Sequence, residues 1–524
     1  MFVLFLVFLG FSVFCFSCVC GDHNWVVSIL DLTMNGTFWN MVFSLDSVTL
    51  SVLLMLSICF GYAFFYTGHY FCGDLLGVEL NKIICLFVGV MASLVITGDF
   101  LSTLIFWEYL GVVSFFLILF YSNYLSLRAS VVTLVSSRFG DVSLFLLIAL
   151  SVYSGYYMVA GGILIFFIVF SKSAGFPFIS WLLEAMRAPT PVSSLVHSST
   201  LVAAGVWFAM RYDMFLYIND SLLYSLLFIT TIGVTGICCF FFLDLKKIVA
   251  LSTCNNIAWC VLYLIYGDVV LSLFQLVSHG VSKCLLFMLV GDVMSGSGGS
   301  QASNCVYSPQ LYGNWGLFGL FSVILGLSGA PFVGVFFTKH FLLSGFNSSI
   351  NLVLFLAIGI CVFFSYFYSF RLCRVLMNLN TSLVSGVMFS FGSGVMVYFW
   401  LFINFIIAST LDEATAVGSI LSFSLVIFQV LSCATAYSLY SSTLLSGWSS
   451  GLFGCDNLVE LVYSAYLFCS NILSIFFYRW DNSAISLLSG NGVGFIRLVS
   501  GQMLNILLFS LLFFIFCWFL FVLY

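Results

Sequence analysis

The sequence predicts an all-α integral membrane protein with about fifteen spanning helices, and three observations predict it. Of its 524 residues, 63% are hydrophobic and only 6% are charged, whereas a soluble chain carries about a quarter charged residues to cover its surface. Mean hydropathy is +1.20. Apolar runs long enough to cross a bilayer recur from end to end, separated by short polar breaks. The net charge of −5 is small and there is no basic run. Nucleic acid is therefore excluded as a partner, and membrane lipid is the solvent.

Taken in order, residues 1–19 read as a retained first span, because no positive region precedes the apolar one as in a signal peptide. Cys15, Cys18 and Cys20 follow with CxxC spacing but no second pair and only His23 nearby, so they read as membrane thiols and not as a metal site. Spans are then predicted near 41–66, 80–97, 99–121, 128–152, 159–186, 191–211, 221–243, 247–266, 268–292, 315–346, 349–375, 385–409, 415–440 and 502–523. Segment 456–489 is apolar enough to span and equally able to lie in the membrane plane. Ser295–Gln301 is a flexible connection that matches no phosphate-binding loop.

Segments 159–186 and 315–346 carry internal punctuation, Gly175-Phe176-Pro177 and Ser328-Gly329-Ala330-Pro331, each with a lysine, Lys172 or Lys339. Interrupted helices free backbone groups that only protein or water can satisfy at membrane depth. A pair of them points to internal repeats and to the transport path. Residues 172–178 and 329–335 are therefore expected to leave regular helix. The organisation read from these features is 1–79, N-terminal spans; 80–211 and 221–375, two five-helix repeats; 385–440, C-terminal spans; then 456–489 and a last anchor span at 502–523.

Charge placement carries the functional reading. The chain has six lysines, and Lys172, Lys283 and Lys339 fall inside apolar segments. Glu108 is central to its span, Arg138 and Asp141 share a face at i,i+3, and His279 and Lys283 share one at i,i+4. An ionised group at mid-bilayer costs about 3 kcal/mol or more, so such groups are kept for use. For Arg138 and Asp141 a purely structural pair that fixes packing is the competing explanation. A buried lysine gives up its proton readily and keeps it when a carboxylate faces it; arginine stays charged throughout. Histidine titrates near neutrality and relays, which suits His197 and His279. Glu108 and Lys172 are expected within one side chain's reach of each other.

The run Lys172-Ser173-Ala174, Trp181-Leu182, Ala185-Met186, Pro189-Thr190-Pro191-Val192-Ser193, His197-Ser198-Ser199-Thr200 and Ala203-Ala204-Gly205 resembles the signature of the antiporter-like subunits of respiratory complex I. Phe106-Trp107-Glu108, Ser137-Arg138-Phe139-Gly140-Asp141, Asp244-Leu245-Lys246-Lys247-Ile248 and Phe336-Phe337-Thr338-Lys339 look like the mitochondrially encoded chain 5 branch of that family, in an invertebrate, worm-like form. The resemblance covers roughly 40–440. It implies inverted topology of the two repeats. It also implies proton-translocating roles for Glu108, Lys172, His197, His279, Lys283 and Lys339, with Arg138 and Asp141 in support, and an in-plane lateral helix near 456–489. It further implies a mitochondrial inner-membrane subunit coupled to NADH-to-ubiquinone electron transfer, with neighbouring antiporter-like subunits and lipids as partners. No cofactor is expected in this chain; FMN, iron–sulfur clusters and ubiquinone belong to other subunits. Ile179, Arg187 (with Glu184 one turn earlier), Gln275 and His340 depart from the family pattern. A subunit of a multi-part cation/proton antiporter, and a non-pumping brace of the membrane arm, remain the alternatives.

Overall fold

A computed structural model of the chain describes residues 25–34, 37–153, 158–217, 221–295, 297, 299–303, 306–309, 313–329, 334–346, 352–377, 380–382, 394–410, 419–440, 455–488 and 501–523. The expected first span and its cysteines lie outside the described residues. The fold is predominantly helical. Among the described residues, nine helices are long and apolar enough to cross a membrane, with shorter apolar helices beside them.

One departure from an all-helical chain comes first. Trp25–Met34 (β1) and Thr37–Leu45 (β2) form an antiparallel hairpin, Trp25 opposite Leu45. The span expected from residue 41 therefore begins later, at Ser47–Tyr70 (α1). Asp46 sets that boundary: its backbone N–H donates to Thr49 Oγ1 at 2.7 Å, while its carboxylate takes the Arg211 guanidinium. A polar cap at this point satisfies orphan helix-end groups that a run-on helix would not present. The hairpin is tied down where Gly98 N–H donates to Val42 O at 2.7 Å.

Leu75–Ile96 (α2), Phe100–Leu119 (α3) and Tyr124–Tyr153 (α4) follow. The expected span 159–186 divides into Met158–Lys172 (α5) and Ser180–Ala185 (α6). The next span is Thr190–Leu195 (α7), a π-helical turn Val196–Thr200 and Leu201–Arg211 (α8). Ser221–Phe241 (α9), Leu245–Ile265 (α10) and Val269–Ser295 (α11) come next. Two three-residue strands, Tyr307–Pro309 (β3) and Asn380–Ser382 (β4), pair in parallel. The second long segment is Gly313–Ser328 (α12) and Val335–Phe346 (α13), with Gly329 and Gly334 both at positive φ between them; 330–333 lie outside the described residues. Leu352–Met377 (α14), Gly394–Thr410 (α15) and Ser419–Tyr440 (α16) complete the first unit, residues 1–455.

The core is built from α1, α7–α8, α10 and α11, which are buried over most of their length, whereas α2 and α4 keep a broad apolar face exposed. In the second unit, residues 456–524, the helices are Cys455–Leu488 (α17) and Gly501–Leu523 (α18). The 34 residues of α17 make a rod about 51 Å long at 1.5 Å per residue. Its Tyr463, Phe468, Phe476 and Trp480 side chains are exposed within this chain.

Candidate functional site: a buried row of titratable residues

The first cluster spans three packed helices, with α4 lying between α3 and α5. Arg138 Nη1 of α4 donates to Glu108 Oε2 of α3 at 2.5 Å and lies 3.5 Å from Asp141 Oδ2. Asp141 Oδ1 in turn lies 3.7 Å from Lys172 Nζ, at the end of α5. Among the described residues, Glu108 and Lys172 form no direct ion pair. Arg138 and Asp141, one turn apart on α4, fill the gap and join the two ends into a four-membered ladder of alternating charge. Lys172 and Asp141 are buried, while the Glu108 and Arg138 side chains are 29% and 42% exposed.

The break that follows Lys172 has local causes. Ser173 N–H still reaches Val169 O at 2.9 Å, but Ala174 turns to φ +54° and Gly175 N–H bonds Phe170 O at 3.0 Å. Helix resumes only at Ser180. The neighbouring helix α8 approaches at Gly205, where a Cβ would stand 3.1 Å from Val169 O and 3.5 Å from Lys172 Cβ. Glycine here lets the backbone close over the lysine. Lys172 also sits 5.0 Å over the Trp107 ring.

Lys172 and His197 line one small cavity together with Ser114, Thr133, Ser137 and Ser171, and with the apolar Ile118, Trp181 and Leu201. His197 belongs to the π-helical turn, an irregularity frequent at functional positions. Its ring is fully buried, and neither nitrogen has a hydrogen-bond partner among the described residues. Buried imidazole nitrogens require partners, and a cavity with hydroxyls in its lining and room for about one water is a setting in which water supplies them.

Helix α11 packs against the π turn and also against α13. Gly280 makes the first contact close: a Cβ there would lie 3.4 Å from Ser199 Cβ. His279 and Lys283 are buried, as their shared face implied. Lys283 Nζ donates to Ser252 Oγ and, at 3.4 Å, to Val249 O of α10. The second contact is made by Gln275 Oε1, which accepts from Thr338 Oγ1 at 2.6 Å, next to Lys339. Lys339 Nζ donates to Ser328 O and Ser365 Oγ, each at 2.7 Å, and lies 5.1 Å from the Tyr366 ring centre. Among the described residues, Lys172 has a carboxylate partner, whereas Lys283 and Lys339 have neutral oxygens only.

Sequence reasoning missed two contributors. Lys246, quoted only within a motif, is buried with Nζ 3.4 Å from Ala188 O. Gln275, noted as a departure, ties α11 to α13. Its spacing four residues before His279 was the available signal.

The family described as NADH:quinone oxidoreductase/Mrp antiporter, TM, matches residues 97–365, which takes in every residue of this row. NADH-ubiquinone oxidoreductase chain 5 of Locusta migratoria is 30% identical over 498 residues, covering 90% of this chain and 83% of that relative. The chain belongs to the NADH:quinone oxidoreductase/Mrp antiporter family. The Caenorhabditis elegans chain 5 is 34% identical over 363 residues, and the match covers 66% of this chain and 66% of that one. A chain of the Mrp complex from a Dietzia species shares the fold, with TM-score 0.72 and 19% identity over 94% of this chain and 60% of that chain. An archaeal membrane-bound sulfane sulfur reductase shares it at TM-score 0.63 and 14% identity, covering 83% of this chain and 92% of that one.

The structure also places the residues read from the sequence as departures from the family pattern. Ile179 is buried where α6 begins. Arg187 donates through Nε to Glu184 Oε2 at 3.0 Å. His340 packs its ring 5.3 Å from that of Phe336.

Proposed function

We propose that this chain is a proton-translocating membrane-arm subunit of a mitochondrial NADH:ubiquinone oxidoreductase, the counterpart of the chain 5 relatives. Electron transfer belongs to other subunits; this chain moves protons. The observation that carries the reading is the buried row itself: Asp141 on α4, Lys172 at the break after α5, His197 in the π turn between α7 and α8, His279 and Lys283 on α11, and Lys339 on α13. Each member is a group that can change its proton, and the hydroxyls and cavity between them provide hydrogen-bonding positions. Glu108 and Arg138 form the outer end of this row.

Two five-helix repeats of inverted topology, 80–211 and 221–375, account for the paired breaks beside Lys172 and Lys339. Within about fifteen spans, α17 is the lateral helix: its length of about 51 Å exceeds the roughly 30 Å hydrocarbon layer, so it lies along the membrane against neighbouring subunits. Glu108 and Arg138 support a partner as well. Both sit half-way along their spans and are partly exposed beside Val112, Phe116, Phe139 and Val142. Charge facing lipid at that depth costs about 3 kcal/mol or more, so a protein neighbour covers this face.

The Mrp fold similarity favours a second reading, a cation/proton antiporter subunit without redox partners; co-purifying iron–sulfur subunits decide between the two. The test of pumping is the proton-to-electron ratio of the complex in reconstituted vesicles. Lys172→Ala and Lys172→Arg both lower it, because arginine supplies charge but cannot deliver a proton. An unchanged ratio in Lys172→Arg overturns the role given to Lys172.

A further inference from the structure

A second proton-bearing pair lies outside the row. His69, in the last turn of α1, places Nε2 3.2 Å from Asp292 Oδ1, near the end of α11. The carboxylate is 2% exposed and the imidazole 26%. α1 is 24 residues long, so His69 stands about 35 Å, at 1.5 Å per residue, from the hairpin where α1 begins. The pair thus opens on the membrane face opposite the hairpin. It shares α11 with His279 and Lys283, yet none of the contacts of the row uses it.

The surroundings of Asp292 are shaped to continue inward. At the preceding residue, Gly291, a Cβ would stand 2.6 Å from Tyr66 Oη and 3.4 Å from Thr190 Cβ. Only glycine lets these two side chains close around this turn of α11. The Tyr66 ring is 6.1 Å from that of His69 and 6.0 Å from that of Tyr70. Thr190 opens α7, and with Ser194 and Ser198 it forms a row of buried hydroxyls at i, i+4 and i+8 that runs into the π turn bearing His197. Ser198 Oγ donates to Ser194 O.

We propose that His69 and Asp292 form a proton port that connects the aqueous face opposite the hairpin to His197 by way of Tyr66 and the Thr190–Ser198 hydroxyls. The inference rests on the proton-translocating reading above. A proton arriving at Nδ1 makes the imidazolium; Nε2 releases its own proton to Asp292 Oδ1; the ring, now protonated at Nδ1, rotates about Cβ–Cγ to expose Nε2 to water, which takes the Nδ1 proton and returns one to Nε2. The partial exposure of His69 gives it the access this cycle needs, and the burial of Asp292 keeps the accepted proton from returning to bulk water.

The experiment compares His69→Gln, His69→Ala, Asp292→Asn and Lys172→Ala with wild type, in the whole complex reconstituted in vesicles. Glutamine retains an N–H donor for Asp292, so the tie between α1 and α11 persists while the relay is lost. The expected result is a several-fold fall in proton translocation in His69→Gln and Asp292→Asn, with added imidazole restoring His69→Ala. A structural tie alone gives no imidazole rescue. Wild-type translocation in His69→Gln, or a slow His69→Ala that imidazole does not restore, overturns the port. If Lys172→Ala abolishes translocation while His69→Gln leaves it intact, only the port fails. If neither changes it, the pumping reading fails first.

Discussion

Replacing Asp141 by asparagine tests the charge ladder directly. The substitution keeps size and an acceptor oxygen but removes the charge 3.7 Å from Lys172 Nζ. At an effective dielectric constant of about 20, that separation corresponds to an attraction of about 4.5 kcal/mol. The like charge of Arg138, 3.5 Å from the other carboxylate oxygen of Asp141, opposes part of that attraction at Lys172. Moving one proton against 100 mV takes about 2.3 kcal/mol, so making and breaking this one contact is large enough for the task. Loss of even about 2 kcal/mol changes an equilibrium roughly 30-fold. Asp141→Asn is therefore expected to lower the proton-to-electron ratio in vesicles, with assembly checked on native gels. Glu108→Gln acts one step away, through Arg138, and has a smaller effect. A normal ratio in Asp141→Asn together with a lost one in Glu108→Gln would refute the order of the ladder and return Glu108 to the position of direct partner.

Two other substitutions probe the packing that holds the row. Gly205→Val drives side-chain atoms toward Val169 O and Lys172 Cβ, now 3.1 and 3.5 Å from the Cβ position. It should cost about 1–3 kcal/mol as an overpacked contact, read as a lower unfolding temperature of the purified complex; an unchanged temperature contradicts the close approach. Thr338→Val conserves shape but strips Gln275 of its 2.6 Å hydrogen bond, leaving a buried amide oxygen unsatisfied at about 1–3 kcal/mol. Proton transfer linked to quinone reduction should slow several-fold, and a wild-type rate would remove Gln275 from the link between α11 and α13.

Much of this was legible in the sequence because lipid makes charge and punctuation conspicuous. Lys172, Lys283 and Lys339 stood out against an apolar background, and all three are buried. The Gly/Pro interruption after Lys172 marked a real break, and Gly329 and Gly334 bound the second. Pairings between helices were not legible. Glu108 and Asp141 are 64 and 31 residues from Lys172 in the chain, and nothing in spacing says which helix lies between. The hairpin at 25–45 was missed because an apolar run of aromatic and β-branched residues suits a strand and a membrane helix alike. The π turn has no compositional mark, and its Val-His-Ser-Ser-Thr reads as ordinary helix. His69 and Asp292 looked like unremarked charges at two span ends until the fold placed them 3.2 Å apart.

The second lysine has a mechanical side. Lys339 donates to the carbonyl of Ser328, the residue on which the 16-residue helix α12 ends, and Gly329 beyond it turns to φ +96°. A lysine in this position fastens a helix end, and a charged donor bonds roughly twice as strongly as a neutral one. In the proton-carrying role proposed for Lys339, loss of its proton turns a charged donor into a neutral one and loosens that fastening. The same group would then serve as cargo carrier and latch, so that each departing proton slackens the end of a rod and each arriving one pulls it tight again.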